Sequence, residues 1–237
     1  MQTWSHVAVA RRQHPPAQRL RGAEHAGSLL NALAVFDFDG TITRGDSLVD
    51  FVRRVAPRAR LYMCMPRVAF RALAFAAGRR DRAAFKEDVL TSLFAGWRAG
   101  DFDRAAEGYA AAYLPRLVRP AALDRLRWHR AQGHRVVIAT ASLEAYVRPW
   151  ARRHGIGEVL GTRLEVDASG RLTGRLEGRN CYGAEKVERL RALVGDIERD
   201  RMYAYGDSRG DRELLNLAAH RVFRPFRGPQ PVSDGTS

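Results

Sequence analysis

The chain has 237 residues, 46% of them hydrophobic, which is enough for one sizeable core, or a core with a small insert, and too apolar for a disordered chain. Its two cysteines, Cys64 and Cys181, stand far apart with no His/Cys cluster beside them; this argues against a disulfide framework and a zinc site and makes a reducing cytoplasm the default. The net charge is +14, yet only Lys86 and Lys186 of the 40 basic residues are lysines, so the bias reads as genome composition; with no aromatic-interleaved basic tract, nucleic acid is disfavoured as a partner, although a positive field attracts any phosphorylated substrate.

Residues 1–30 carry Pro15 and Pro16, several glutamines and arginines, and no periodicity. They read as a disordered extension or a wrongly assigned start, and no apolar run indicates a secretory signal. The apolar run over 32–38 passes into Asp37-Phe38-Asp39-Gly40-Thr41 and reads as a buried strand that delivers carboxylates at its C-terminal end. A helix over 47–55 follows, capped by Asp46 or Ser47. Residues 57–118 run helical in three segments, near 60–77, 81–97 and 101–114, with breaks at Gly78, Gly96, Gly100, Pro115 and Pro120.

The remainder alternates. A helix over 121–132 precedes a buried strand over 135–140, and a helix over 143–154 ends at Gly155. Segments 162–166 and 171–175 flank Asp167-Ala168-Ser169-Gly170 as a hairpin. A helix covers 184–194, a third core strand over 202–205 leads into Gly206-Asp207-Ser208, a short helix spans 212–219 and a last strand 221–223. This rhythm predicts an α/β fold: a parallel sheet covered on both faces, built from 31–56 and 119–228, interrupted by a helical insert over 57–118 and followed by a flexible tail over 229–237. Ligands of such sheets bind at the carboxyl ends of the strands.

Three predicted core strands end in polar residues of complementary type: Asp37 and Asp39, then Thr140, then Asp207, with Lys186 opening the helix between the second and third. Carboxylates, a hydroxyl and an ammonium on one sheet edge suit phosphoryl transfer. A carboxylate can attack phosphorus, a hard cation held by oxygens neutralises phosphate charge, and a fixed ammonium does the same from another side. Asp37-Phe38-Asp39-Gly40-Thr41, Thr140, Lys186 and Gly206-Asp207-Ser208-Arg209-Gly210-Asp211, in this order, resemble the four motifs of the haloacid dehalogenase (HAD) superfamily over residues 32–226. The helical insert is similar to a C1-type cap on a Rossmann-like core, and the chain resembles subfamily IB, the phosphoserine-phosphatase-like enzymes.

The resemblance implies a magnesium-dependent phosphatase. Asp37 would be the nucleophile that forms an aspartyl-phosphate, and Asp39 the acid and base. Magnesium would be held by Asp37, the Asp39 main-chain carbonyl and Asp207, with Asp211 behind it. Phosphate oxygens would meet Thr140, Ala141, Lys186 and the backbone N–H groups of Gly40 and Thr41. Asp46 stands where related enzymes carry a glutamate that reads the substrate amine, and helix capping is an equal reading of it. Ser142 replaces part of a glycine pair, and Gly210 replaces a frequent asparagine; both departures weigh against phosphoserine itself.

Apolar residues dominate 61–77, but about 20 are needed to span a bilayer, and Pro66, Arg67 and Arg71 interrupt the run. Arg60, Arg67 and Arg71 share a helical face, which fits a basic helix lying on a membrane and also a cap helix packed on its neighbours; the packed reading is preferred. Arg67, Arg71 and Phe75 are read as cap packing ahead of substrate contact. His129, His134 and His154 are expected on helix surfaces or at strand entry, without catalytic roles. Hydrolysis of a small cytoplasmic phosphomonoester is the leading expectation. A lipid-phosphate phosphatase, for instance toward phosphatidylglycerophosphate, with peripheral membrane contact through 60–77, is the second. A non-catalytic phospho-ligand or nucleic-acid binding module is the third.

Overall fold

A computed structural model describes residues 32–76 and 82–228. The expected extension over 1–30, the tail over 229–237 and the break at Gly78 lie outside the described residues, as do the side chains of Arg67, Arg71 and Phe75.

Strand β1 (Leu33–Phe36) opens the described chain. The helices α1 (Ser47–Val55), α2 (Arg58–Ala76), α3 (Arg82–Phe94) and α4 (Ala99–Ala112) come next. The chain then runs through α5 (Pro120–Ala131), β2 (Arg135–Leu143), α6 (Glu144–Arg153) and β3 (Glu158–Thr162). It ends with β4 (Leu164–Val166), β5 (Leu172–Leu176), α7 (Ala184–Val194), β6 (Met202–Gly206), α8 (Arg212–Leu217) and β7 (His220–Phe223). Five strands form one parallel sheet in the order β3-β2-β1-β6-β7, and β4 and β5 form a separate antiparallel pair.

The pairing register sets the position of the site. Phe36 lies opposite Ile138 on one side and Tyr205 on the other, so the carboxyl ends of β1 and β6 finish near one level, with Thr140 of the longer β2 close to it. Side chains alternate across the sheet. Ala34, Phe36, Ile138 and Tyr205 face a cluster that includes Leu126 of α5 and Trp150 of α6. Val35, Val137, Met202 and Ala204 face Leu190 of α7 and Leu214 of α8. Both faces are covered, which is why the central strands read as unbroken apolar runs. Each large side chain so buried contributes about 1.5–3 kcal/mol.

Strand β3 is a correction to the sequence reading, which left 155–161 without an element and assigned 162–166 to the hairpin. It is a short edge strand whose residues alternate between buried and half-buried, and it contains Gly161. A Cβ at that glycine would lie 3.0 Å from Glu144 Cβ, so a close backbone approach put a strand-weakening residue into the run. Strand β2 continues past Thr140 to Leu143, with a register irregularity against β3 between Ala139 and Leu143. His129, expected at a helix surface, is fully buried: its Nε2 lies 2.9 Å from the Tyr205 hydroxyl and its Nδ1 2.8 Å from His134 Nδ1.

The three expected helices of the insert are α2, α3 and α4, and α2 runs through Pro66. Arg60 donates to the carbonyls of Leu93 and Ala95, both at 3.0 Å, capping the C-terminus of α3. The β4–β5 hairpin is stitched to the same block. Gly96 N–H donates to Leu172 O, Leu172 N–H to Trp97 O, and Ala99 N–H to Gly170 O, at 2.8–2.9 Å. Gly174, at φ +85°, lets β5 approach α3 so closely that a Cβ there would lie 2.3 Å from Thr91 Cα. Among the described residues no helix is long and apolar enough to cross a membrane.

Candidate active site

Asp37 leaves the tip of β1 with its own N–H still bonded to Tyr205 O at 2.9 Å. Its carboxylate is buried, and Oδ1 accepts from Lys186 Nζ at 2.5 Å. The same ammonium donates to Asp211 Oδ1 at 2.6 Å. Asp211 is fully enclosed: its Oδ2 accepts from Asp207 N–H, Ser208 N–H and Ser208 Oγ at 3.1, 2.9 and 2.8 Å. Oxygen atoms of Asp37, Asp207 and Asp211 lie within 4.8 Å of one another.

Burial pushes the Asp37 carboxyl up to about 7, against the pull of Lys186. For Lys186 burial disfavours the charge, but Asp37 and Asp211 outweigh it and hold the ammonium above its ordinary range. Burial likewise raises Asp211, and the Lys186 and Ser208 contacts overcome this and hold it below the usual carboxylate range. Asp207 is raised by burial and by Asp211, with Arg227 Nη2 at 2.7 Å from its Oδ2 working the other way.

The turn after β1 is shaped around this cluster. Gly40 takes φ +77°, and a Cβ there would lie 2.3 Å from Asp207 Oδ2. Only glycine admits both the conformation and the approach. Asp39 is held by Ser47 N–H at 2.9 Å on Oδ1 and by the Ser142 hydroxyl on Oδ2. Burial raises its carboxyl above the usual range, and those two serines partly offset the rise. Thr140 Oγ1 accepts from Ser142 N–H at 3.0 Å.

A cavity of about 520 Å³ opens beside these groups. Of the residues picked from the sequence, Asp37, Asp39, Asp46, Thr140, Ala141, Ser142 and Lys186 line it. Asp207 and Asp211 adjoin Asp37 from behind, and Gly40 is packed against Asp207. Thr41 is buried, with no hydrogen bond to its hydroxyl among the described residues. Asp46 caps α1, its Oδ1 accepting from Leu48 and Val49 N–H at 2.9 and 3.1 Å. Gly210, the departure from the frequent asparagine of related enzymes, has the Tyr182 ring against it: a Cβ would sit 2.2 Å from Tyr182 Cε2.

Among the cavity residues that the sequence reading did not pick are two that are buried and polar, Lys86 and Asn180. Lys86 reaches from α3 to the carbonyl of Ala141 and to Asn180 Oδ1, the latter at 3.1 Å. Burial lowers its ammonium to about 8, with Asp39 pulling it back up. Its signal was the scarcity of lysine, since Lys86 and Lys186 are the two lysines of the chain and both end at this site. Asn180 carried no such mark.

The donor set fits a hard divalent cation. The three carboxylates offer oxygen ligands, the kind such an ion takes, and the Lys186 ammonium sits beside them against Asp37 and Asp211. Asp211 spends both oxygens on Lys186 and the Asp207–Ser208 backbone, which suits support of the cluster better than direct ligation.

The model of the haloacid dehalogenase-like hydrolases matches residues 34–216. Protein CicA of Caulobacter vibrioides is 38% identical over 197 residues, covering 83% of this chain and 87% of that protein. A probable phosphatase of Mycobacterium tuberculosis is 28% identical over 225 residues, covering 92% of this chain and 76% of the relative. A solved phosphoserine phosphatase with an analogue of its phospho-aspartyl intermediate shares the fold, with a TM-score of 0.55 at 18% identity over 81% of this chain and 85% of that one. The match spans the strand that ends at Asp37, the Lys186 helix and the Asp207–Asp211 turn, and the chain therefore belongs to the haloacid dehalogenase-like hydrolase family.

Proposed function

We infer that the protein is a magnesium-dependent phosphomonoester hydrolase acting through an aspartyl-phosphate on Asp37. The observation that carries this reading is the convergence of Asp37 and Asp207, at the tips of adjacent strands, with Lys186 of α7 and Asp211 of the turn after β6. An Asp37 carboxylate oxygen attacks phosphorus, and the bond to the leaving alcohol breaks. Asp39 carries the proton to that alcohol; its raised proton affinity and its fixed placement by Ser47 and Ser142 suit the task. In the second half Asp39 takes a proton from the water that hydrolyses the acyl phosphate. Lys186 and the Thr140 hydroxyl hold phosphate oxygens, with backbone donors at Gly40, Thr41 and Ala141. Asp37, Asp207 and the Asp39 carbonyl would hold magnesium, which neutralises phosphate charge and favours the ionised form of Asp37.

The helical block over 57–118 serves as the cap, joined by the β4–β5 hairpin. Apart from Lys86 its contribution to the cavity is apolar, with Leu61, Phe85 and Val89 among the lining, and Leu48, Val49 and Val52 of α1 line it as well. That lining supports a small substrate with an apolar part to its alcohol half, and Asp46, Arg53 and Lys86 in the same cavity are the side chains left to meet charged groups such as those of phosphoserine. The test is phosphate release with magnesium from a panel of phosphoserine, sugar phosphates, histidinol phosphate and phosphatidylglycerophosphate. Activity on at least one member should vanish in Asp37→Asn, and turnover surviving in that variant refutes the mechanism.

Exposed Tyr62, Met63 and Met65 on α2 favour a second reading, a lipid-phosphate phosphatase working at a membrane surface. Against it, Arg60 of the supposed basic face is engaged in capping α3. Sedimentation with vesicles rich in anionic phospholipid at low salt separates the two readings: the lipid reading requires co-sedimentation that is lost in Met63→Ser/Met65→Ser.

A further inference from the structure

The peptide between Ala141 and Ser142 lies where β2 loses its regular pairing. Ala139 is opposite Leu160 and Leu143 is opposite Thr162, so three residues of β2 face one of β3. A buried carbonyl outside the ladder needs another donor. The Ala141 carbonyl has two, the Thr162 hydroxyl at 2.8 Å and the Lys86 ammonium. Thr162 belongs to the sheet, whereas Lys86 comes from α3 in the helical block. Asn180 Oδ1 accepts from Lys86 at 3.1 Å and lies 2.9 Å from the Thr162 hydroxyl, whose single proton it shares with the Ala141 carbonyl, closing the network.

A peptide unit is planar, so fixing its C=O also fixes its N–H. The N–H of this unit is that of Ser142, and it donates to Thr140 Oγ1 at 3.0 Å. With a lone pair so occupied, the Thr140 hydroxyl keeps its proton to donate, and no acceptor takes it among the described residues. The next side chain along, Ser142, holds Asp39. One rigid unit thus aims the phosphate donor and steadies the acid.

Resting on the phosphatase reading of the site, we propose that Lys86 is a positioning residue: by gripping the Ala141 carbonyl from α3 it orients the Thr140 hydroxyl, so that phosphate binding depends on the helical block being seated. A chain with only two lysines among 40 basic residues keeps one of them here. Its compact ammonium fits between a carbonyl and an amide oxygen, where a planar guanidinium does not.

The test is a double-mutant cycle read by phosphorus NMR titration of inorganic phosphate into the magnesium-loaded protein, which needs no turnover. Lys86→Met and Thr140→Ala should each weaken phosphate binding about tenfold, and the double variant should fall within about twofold of Thr140→Ala alone, because the first acts through the second. Losses that multiply in the double variant overturn the proposal. So does Lys86→Met binding phosphate like the wild type, or a wild type that binds none. If circular dichroism shows Lys86→Met unfolded, Thr162→Val removes the other donor on the same carbonyl and should give the same non-additivity. A wild type that binds phosphate but hydrolyses nothing on the panel sinks the phosphatase reading, and the cycle still decides the role of Lys86.

Discussion

The Lys186 ammonium is buried and touches two carboxylates, Asp37 at 2.5 Å and Asp211 at 2.6 Å. Desolvating three charges is costly, and the cluster is tolerable only while each has its partner. Lys186→Met keeps the volume and removes the charge, leaving two carboxylates enclosed with nothing to offset them. We expect a loss of about 3–5 kcal/mol in urea unfolding, the range for breaking a buried ion pair, together with loss of detectable phosphatase activity. An unfolding midpoint close to wild type would mean that the carboxylates are hydrated or protonated in the folded protein. The Asp39 environment follows the same logic more gently, through hydrogen bonds from Ser47 and Ser142 instead of a countercharge.

Helix α1 begins at Asp46, whose side chain satisfies two N–H groups that the helix cannot bond internally. Asp46→Ala should cost about 1 kcal/mol, the usual price of a lost N-cap, and Asp46→Asn should restore it. If Asp46 also reads substrate, Asp46→Asn will raise KM with stability intact; an unchanged KM assigns it to the cap alone.

The contact between α5 and β6 gives a pH prediction. Burial, with His134 and Arg125 nearby, lowers His129 from 6.5 to about 3. It stays neutral in the folded chain while the unfolded chain binds a proton, so stability rises with pH between about 3 and 6.5 and is lost on acidification through that window. Between pH 7 and 5 this group accounts for about 2 kcal/mol, from 1.36 kcal/mol per unit. Thermal melts at the two pH values should converge in His129→Gln by that amount; an equal acid sensitivity in the variant would place its origin elsewhere.

Across the whole molecule the acidic cluster joins β1 to the turn after β6, so a divalent ion there binds only the folded chain. Magnesium at about 100 times its Kd should add about 2.7 kcal/mol, seen as a rise in Tm that chelation reverses. Asp207→Asn should abolish the rise, whereas a rise retained in that variant places the ion elsewhere. The helical block is also tied to the β4–β5 hairpin, which shares backbone hydrogen bonds with Gly96, Trp97 and Ala99 between α3 and α4.

Local features carried much of this protein. Apolar runs ending in Asp37 and Asp207 declared strands and their tips, because a strand buried on both faces has nowhere else to put polar groups; the run ending in Thr140 declared its strand but not the tip, since β2 continues to Leu143. Motif order declared the family. The edge strand β3 stayed hidden because a short, half-exposed run containing Gly161 resembles a loop. Burial of His129 stayed hidden because a polar residue inside needs partners, Tyr205 and His134, that are distant in sequence or on another element. The meeting of Lys86 with Ala141, 55 residues apart, depends on how a helical block packs on a sheet. Local chemistry is written residue by residue, but the distance between two segments is set by the packing of everything between them.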